Sequence, residues 1–413
     1  MLLSVFTPSH DPRFLEKCFQ SLRKQTHTDW EWIVLLNGRV REWRPSEPDD
    51  RVQVVHGRKG IKGVGAAKRD ACEHARGEIL VELDHDDVLA STCLAELDQA
   101  FREHPEALLV YSDFAQINED GSANSDRFNE AMGWIYDEVD VDGTTYLRCQ
   151  AMAPSPHNVG YIWYAPNHVR AFRRSAYDEV GGYDPGLDVL DDQDLMMRLY
   201  RAGEFLRIER CLYLQRIHGR NTQVDPATNA QIQQQTVTQY QQNIEAMGLA
   251  WAERHGVAAV TVRTDGMPGS APADEVVQLI DPANPVLPFP DSSVGLIKAY
   301  ELLQRLRDRA TFFNECHRVL VHGGLILTET PSTDGRGAFQ DPSHVAFYNE
   351  NSFWYLTQES LRPSLPDLRV RLQVSQLRTF FPTPWHEQVH IPYVQANLIC
   401  IKDGPRQGGP LLT

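Results

Sequence analysis

Apolar and polar positions fall into two alternating rhythms over the first 117 residues. Short apolar runs occur at "LLSVFTP" (2–8), "WEWIVLLNG" (30–38), "VQVVHG" (52–57), "EILVELD" (78–84) and "ALLVYSDFAQI" (107–117). Their length and bounding turn residues predict strands. Between them, "PRFLEKCFQSLRKQT" places Phe14, Leu15, Cys18, Phe19 and Leu22 at the spacing of an amphipathic helix. "GVGAAKRDACEHARG" (63–77) and residues 91–104 read as two more helices. Strand, helix, strand at this spacing predicts an α/β fold with a mostly parallel sheet and crossover helices. Such sheets bind ligands at the carboxyl ends of their strands.

The pattern weakens further along. "RFNEAMGWIYDEVDVDG" (127–143) has no clear period and is expected to be a mobile loop. The stretch 168–203 is expected to run loop, helix, turn, then a helix opened by acidic residues. "FLRIERCLYLQRIHGRNT" (205–222) reads as a strand ending in a polar loop. A glutamine-rich helix follows, with Ile232, Val237, Tyr240, Ile244 and Met247 near helical spacing. That stripe would pack on its own domain or on a second copy of the chain. "TDGMPGSAPAD" (264–274) reads as a loop, a second α/β segment comes next, and the end should be a flexible tail. The expected organisation is 1–226, a connecting segment 227–255, a smaller domain 256–402 and the tail 403–413.

The chain has 413 residues, more than one ordinary domain holds. A net charge of -16 argues against broad nucleic-acid binding through phosphate neutralisation. The seven cysteines are scattered, with no CxxC pair, as in a reduced cytoplasmic protein. No run approaches the ~20 apolar residues of a membrane helix, and "MLLSVFTPSHD" lacks the basic start and apolar core of a signal peptide.

The strongest chemical signal is "LVELDHDDVLAS" (80–91), where Asp84, Asp86 and Asp87 crowd the end of an apolar run. A helix cap explains one aspartate and a surface turn explains two. Three after a buried strand are costly unless a cation or donors compensate. Carboxylate oxygens suit a hard divalent ion, Mg²⁺ or Mn²⁺.

Several segments occur in the order found in family 2 glycosyltransferases of the GT-A fold, and residues 1–225 resemble that family. They are "VFTPSHDPRFLEKCFQSLRKQTHTDWEWIVLLNG", "GVGAAKRDACEHARGEILVELDHDDVL", "GGYDPGLDVLDDQDLMMRLYRAG" and "RIHGRNT". The resemblance implies a Rossmann-like domain that moves a sugar from a nucleotide-sugar donor to an acceptor hydroxyl. Asp84, His85 and Asp86 match its D-x-D element, with Asp86 the direct metal ligand and Asp84 near ribose and metal; Asp87 would cap the next helix. Thr7, Pro8 and Ser9 end the first strand, where the base rests. Asn37 stands where many relatives carry an aspartate. Lys68 and Arg69 match a basic helix segment near the nucleotide. In "LDDQDL", Asp192 occupies the general-base position and Asp191 replaces the usual glutamate. His218 would complete the metal site. One base and one metal imply a single displacement with inversion. Trp163 and Tyr164 could stack on a sugar or pack in the core; Arg170, Arg173 and Arg174 could meet an anionic acceptor or be exposed.

Residues 274–357 resemble the later part of a class I S-adenosylmethionine-dependent methyltransferase, through "LPFPDSSVGLIKA", "ELLQRL", "ECHRVLVHGGLILTETPS" and "DPSHVAFYNENSFWYLT". Such enzymes place a G-x-G-x-G turn after their first strand. "GVAAVTVRTDG" carries none, which argues for a degenerate methyltransferase-like module and against S-adenosylmethionine as cofactor. Asp341 and His344 would be remnants of a substrate site. The sequence therefore supports a cytoplasmic, metal-dependent inverting glycosyltransferase acting on a glycan or another hydroxyl-bearing acceptor. The alternatives are a bifunctional glycosyltransferase and methyltransferase, a carbohydrate-binding protein with a dead site, or a paired-carboxylate hydrolase.

Overall fold

In the computed structural model, Leu3–Ser9 (β1) is buried along nearly its whole length, because strands pair with it on both sides. The structure describes residues 1–38, 40, 42–60, 63–221, 224–267 and 276–409. The chain divides into two units, Met1–Glu130 with Trp134–Ile244, and Ala131–Gly133 with the residues from Glu245 onward.

In the first unit, β1 is followed by β2 (Trp30–Leu36), β3 (Val52–His56), β4 (Ile79–Glu82), β5 (Val88–Leu89), β6 (Ala107–Ile117), β7 (Tyr136–Val141), β8 (Thr144–Cys149), β9 (His168–Arg173) and β10 (Glu204–Arg216). Their order is β3-β2-β1-β4-β9-β6-β10-β5, with β8 pairing β6 and β7 pairing β8. The first four strands of that order are mutually parallel, as the alternating rhythm predicts. Helix Leu15–Arg23 buries Leu15, Cys18, Phe19 and Leu22, and each large side chain contributes about 1.5–3 kcal/mol as an upper estimate.

Two expectations fail here. Residues 127–143 are not simply a loop: β7 and β8 form an antiparallel hairpin. Residues 168–173 are not a loop either. They form β9, which lies antiparallel between β4 and β6 in the middle of the sheet. Its sequence, "HVRAFR", carries three basic residues, so the rule that central strands are apolar misses it.

Two glycines bring the polar loops close to the sheet. A Cβ on Gly65 would lie 2.3 Å from Asp184 O, so only glycine lets helix Val64–His74 approach the turn before the acidic helix. Gly182 has φ +68° and leaves no room for a side chain beside Tyr177.

The second unit contains β11 (Ala258–Arg263), β12 (Val277–Leu279), β13 (Val294–Tyr300), β14 (Leu320–Pro331), β15 (Leu372–Phe380) and β16 (Tyr393–Cys400), in the order β12-β11-β13-β14-β16-β15. The first four strands of that order are parallel and the last two antiparallel. Helix Arg309–Val319 packs Phe312, Phe313, Cys316 and Val319 into its core. Lys298 of β13 is buried and pairs with Glu245 at 3.0 Å.

The connecting helix spans Pro226–Arg254. Tyr240, Ile244 and Met247 of its stripe are buried within the chain, and Tyr240 stacks on Tyr161. Gln407–Gly409 are buried and Gly409 N donates to Met132 O, where a flexible tail is expected. Residues 410–413 of that tail, and the expected loop beyond residue 267, lie outside the described residues. All seven cysteines are buried free thiols. Among the described residues no helix is long and apolar enough to cross a membrane.

Candidate active site

The acidic stretch 84–87 leaves the carboxyl end of β4, and the end of β10 holds it in place. Tyr213 OH donates to Asp87 Oδ2 (2.7 Å), and Arg216 N donates to Asp87 Oδ1 (2.6 Å). Arg216 Nε donates to Asp86 O (2.8 Å). Asp87 therefore ties two strands together and does not cap the next helix, whose N-cap Thr92 makes no side-chain cap bond. Burial and the neighbouring carboxylates of Asp86 and Asp84 push the Asp87 carboxyl well above its ordinary range.

This tie brings His218 to the loop. His218 Nε2 lies 2.9 Å from Asp86 Oδ2, and Asn221 Nδ2 donates to the same oxygen at 3.4 Å. Phe14 stacks on the His218 ring. His85 meets His10 edge-on at 4.8 Å between ring centroids. Asp84 belongs to a second donor set: ligand atoms of Asp84, Asp87 and His168 lie within 4.8 Å of one another. The His168 ring stacks on Tyr213 at 4.4 Å, and burial holds it well below its ordinary pKa, hence neutral. Burial, with Glu82 nearby, raises the Asp84 carboxyl to about 6. Both donor sets combine carboxylate and imidazole, a chemistry that fits a divalent cation.

Beside Asp84, at the end of β4, the structure builds a buried ionic cluster. Lys68 Nζ is 2.6 Å from Glu82 Oε1 and 3.1 Å from Asp191 Oδ2. Arg170 Nη1 is 2.7 Å from Asp192 Oδ2, and its Nε is 3.4 Å from Glu82 Oε2. Tyr183 OH donates to Glu82 Oε2 at 3.2 Å. Burial opposes the charge on Lys68, but Asp191 and Glu82 overcome it and raise its pKa. Burial likewise opposes ionisation of Glu82, yet Arg170 and Lys68 hold its carboxyl below the usual range. Asp191 is raised to about 6, chiefly by burial. For Asp192 burial is outweighed by Arg170 and Lys68, and the carboxyl stays ionised far below its ordinary range. The Asp192 side chain keeps 25% of its surface exposed, against 5% for Asp191. Leu190, just before this pair, is forced to φ +59°. That left-handed conformation costs a leucine about 1–2 kcal/mol and marks the turn as constrained.

The remaining site residues divide by what their side chains already do. Thr7 Oγ1 donates to Leu83 O and accepts from Trp32 Nε1, both at 2.8 Å, so it is committed to the core. Ser9 Oγ donates to Asp11 O, and Pro8 is half-buried at the strand end. Asn37 N donates to Ser9 O, while Asn37 Oδ1 is buried with no hydrogen-bond partner among the described residues. Arg69 donates to the carbonyls of Gly181 and Tyr183, and so holds a turn. Arg170 is buried, not exposed; Arg173 and Arg174 serve backbone carbonyls. Tyr164 is buried in an aromatic cluster with Trp163, Tyr161 and Trp134. In the second unit, Asp341 pairs with Arg305, and His344 Nδ1 contacts Ala338 O.

Sequence reasoning missed Glu82 and the roles of Arg170, His168, Tyr213 and Arg216. Glu82 is the one charged residue in "ILVE", a signal the strand pattern itself offered.

Residues 4–181 match the family model described as glycosyl transferase family 2. The match to that family lies within the first unit, whose mixed α/β sheet agrees with the expected GT-A fold class. Residues 269–328 match a methyltransferase domain model. The chain is 24% identical over 232 residues to chondroitin synthase of Escherichia coli, covering 54% of this chain and 30% of that protein. It is 37% identical over 67 residues to a probable S-adenosylmethionine-dependent methyltransferase of Mycolicibacterium smegmatis, covering 15% of this chain and 26% of that protein. The chain thus spans less than a third of either curated relative. A solved structure of S. aureus TarS in complex with UDP-GlcNAc aligns at TM-score 0.42 and 14% identity, over 62% of this chain and 72% of that one.

Proposed function

We propose that the first unit is an inverting glycosyltransferase that uses a nucleotide-sugar donor, with Asp192 as general base. The observation that carries this reading is Asp192 itself: an ionised, part-exposed carboxylate set against the buried, paired Asp191. An acceptor hydroxyl gives its proton to Asp192, and its oxygen bonds to the anomeric carbon as the bond to the diphosphate oxygen breaks. One attack on the face opposite the leaving group inverts the anomeric centre. Asp86 and His218, with Asp84 beside them, would hold a divalent cation (Mn²⁺ or Mg²⁺) that neutralises charge on the departing diphosphate. The unpartnered Asn37 Oδ1, at the carboxyl end of β2, suits an N–H donor on the base. Pro8, Ser9 and His85 line the approach, while Lys68, Arg69 and Thr7 serve from behind by holding side chains and loops in place.

The acceptor is read as a glycan or similar hydroxyl-bearing molecule, in keeping with the likeness to a chondroitin synthase. Buried free thiols fit a cytoplasmic setting. The methyltransferase match favours a second reading, a bifunctional enzyme; the missing G-x-G-x-G supports a scaffolding or assembly role for the second unit instead.

The test is thermal unfolding in the presence of a panel of UDP- and GDP-sugars, with Mn²⁺ or with EDTA. At least one donor should raise the melting midpoint by about 2 °C or more with Mn²⁺, and EDTA should remove the shift. No chelator-sensitive shift with any donor would overturn the reading.

A further inference from the structure

Arg170 sits on β9, the central strand directly paired with β4, where Arg170 and Glu82 are cross-strand partners. It is 5% exposed. Its guanidinium spans two carboxylates, with Nε toward Glu82 (3.4 Å) and Nη1 on Asp192 Oδ2 (2.7 Å). Glu82 is itself held by Lys68 and by Tyr183 OH. Asp192 Oδ1 accepts from Gln193 N at 2.8 Å. Both oxygens of the candidate base therefore accept hydrogen bonds from the protein, while a quarter of the side chain stays exposed.

We propose that Arg170 is a positioning residue that acts on the acceptor through Asp192, fixing Oδ2 so that the carboxylate keeps one orientation toward the incoming hydroxyl. This rests on the reading of Asp192 as base. A planar guanidinium hydrogen-bonded to Asp192 and ion-paired with Glu82, with no hydrogen bond from its Nε, restricts orientation in a way a point charge does not. The charged and titratable groups that face Asp192 are Arg170 and His168 from β9, Lys68 from helix Val64–His74, Glu82 from β4, and Asp191 beside it. Of these, Arg170 makes the direct contact. Without it, burial and the adjacent Glu82 and Asp191 carboxylates would push the Asp192 carboxyl up.

The test compares wild type, R170Q, R170K and D192N in the full chain. Release of nucleoside diphosphate from a panel of UDP- and GDP-sugars with Mn²⁺ is followed from about pH 3 to 9. The wild type should show no Asp192 limb in this window, because its carboxyl lies far below the ordinary range; R170Q should bring an acid limb of kcat into it, at about pH 4 or above, with donor KM changed by no more than about three-fold. R170K should return the wild-type profile while leaving kcat at least about five-fold low, because the planar guanidinium is lost. No limb in the window for folded R170Q, or full kcat in R170K, overturns the proposal; a parallel loss of donor affinity in both assigns Arg170 to donor binding and overturns it too. If R170Q does not fold, R170K decides. Carbon-13 NMR of aspartate-labelled protein, with the Asp192 signal assigned from D192N, reads the same shift without any turnover. Wild-type activity in D192N would remove the base reading itself. A dead D192N beside a folded R170Q with no limb in the window would remove only the role of Arg170.

Discussion

His218 Nε2 stands 2.9 Å from Asp86 Oδ2, although 132 positions separate the two residues in the chain. The end of β10 makes this meeting possible, because Arg216 and Tyr213 clamp the acidic loop from the same strand that delivers His218. Removing either partner should weaken cation-dependent donor binding. We expect H218A and D86N each to lower donor affinity by about ten-fold or more in the presence of Mn²⁺. Isothermal titration with and without EDTA checks this; unchanged, chelator-sensitive binding in both variants would move the cation to the Asp84, Asp87 and His168 set.

Asp192→Asn keeps the volume and the contact with Gln193 N but cannot take a proton. Turnover should fall by about 10²–10⁴-fold, with donor binding within about three-fold of wild type. Steady-state kinetics beside a donor titration separates the two effects.

Among the described residues, Lys68 is the sole lysine in the buried cluster around Glu82 and Asp191. Lys68→Met would leave both carboxylates without that cation. Breaking a buried pair costs about 3–5 kcal/mol, so urea unfolding should show a loss on that scale. A loss below about 1 kcal/mol would mean that Arg170 alone compensates the cluster.

Asp191 titrates in the opposite sense to its neighbour. Its carboxyl is raised from 3.8 to about 6, chiefly by burial. Between those values the folded chain keeps a proton that the unfolded chain releases, so this group's contribution to stability falls as pH rises through that window. Asp191→Asn removes the ionisation. The variant should gain melting temperature relative to wild type above about pH 6 and lose that gain as pH falls toward 4. A gain independent of pH would assign the effect to packing.

The second unit is expected to bind no S-adenosylmethionine. The match to a methyltransferase domain covers 269–328, while the sequence around β11 lacks the glycine-rich turn that lets backbone approach such a cofactor. Equilibrium dialysis with labelled S-adenosylmethionine at millimolar concentration should find nothing bound; saturable binding would favour the bifunctional enzyme.

The sequence alone determined the strands and helices whose apolar period is regular, including β1, β2, β4 and the helix Asp191–Ala202. It also singled out Asp84, Asp86 and His218, which follow β4 and β10, and Asp192, in the first turn of the helix Asp191–Ala202. Periodicity reads such elements because each one buries a single local face. Only the tertiary structure decided that "HVRAFR" is a central strand and that Arg170 grips Asp192. Basic residues can lie inside a sheet when carboxylates from other strands and helices neutralise them. Those partners are distant in sequence, so no local pattern announces the pairing. The split between Asp191 and Asp192 has the same origin: adjacent aspartates differ because one faces Lys68 in the interior and the other meets Arg170 at the edge of solvent.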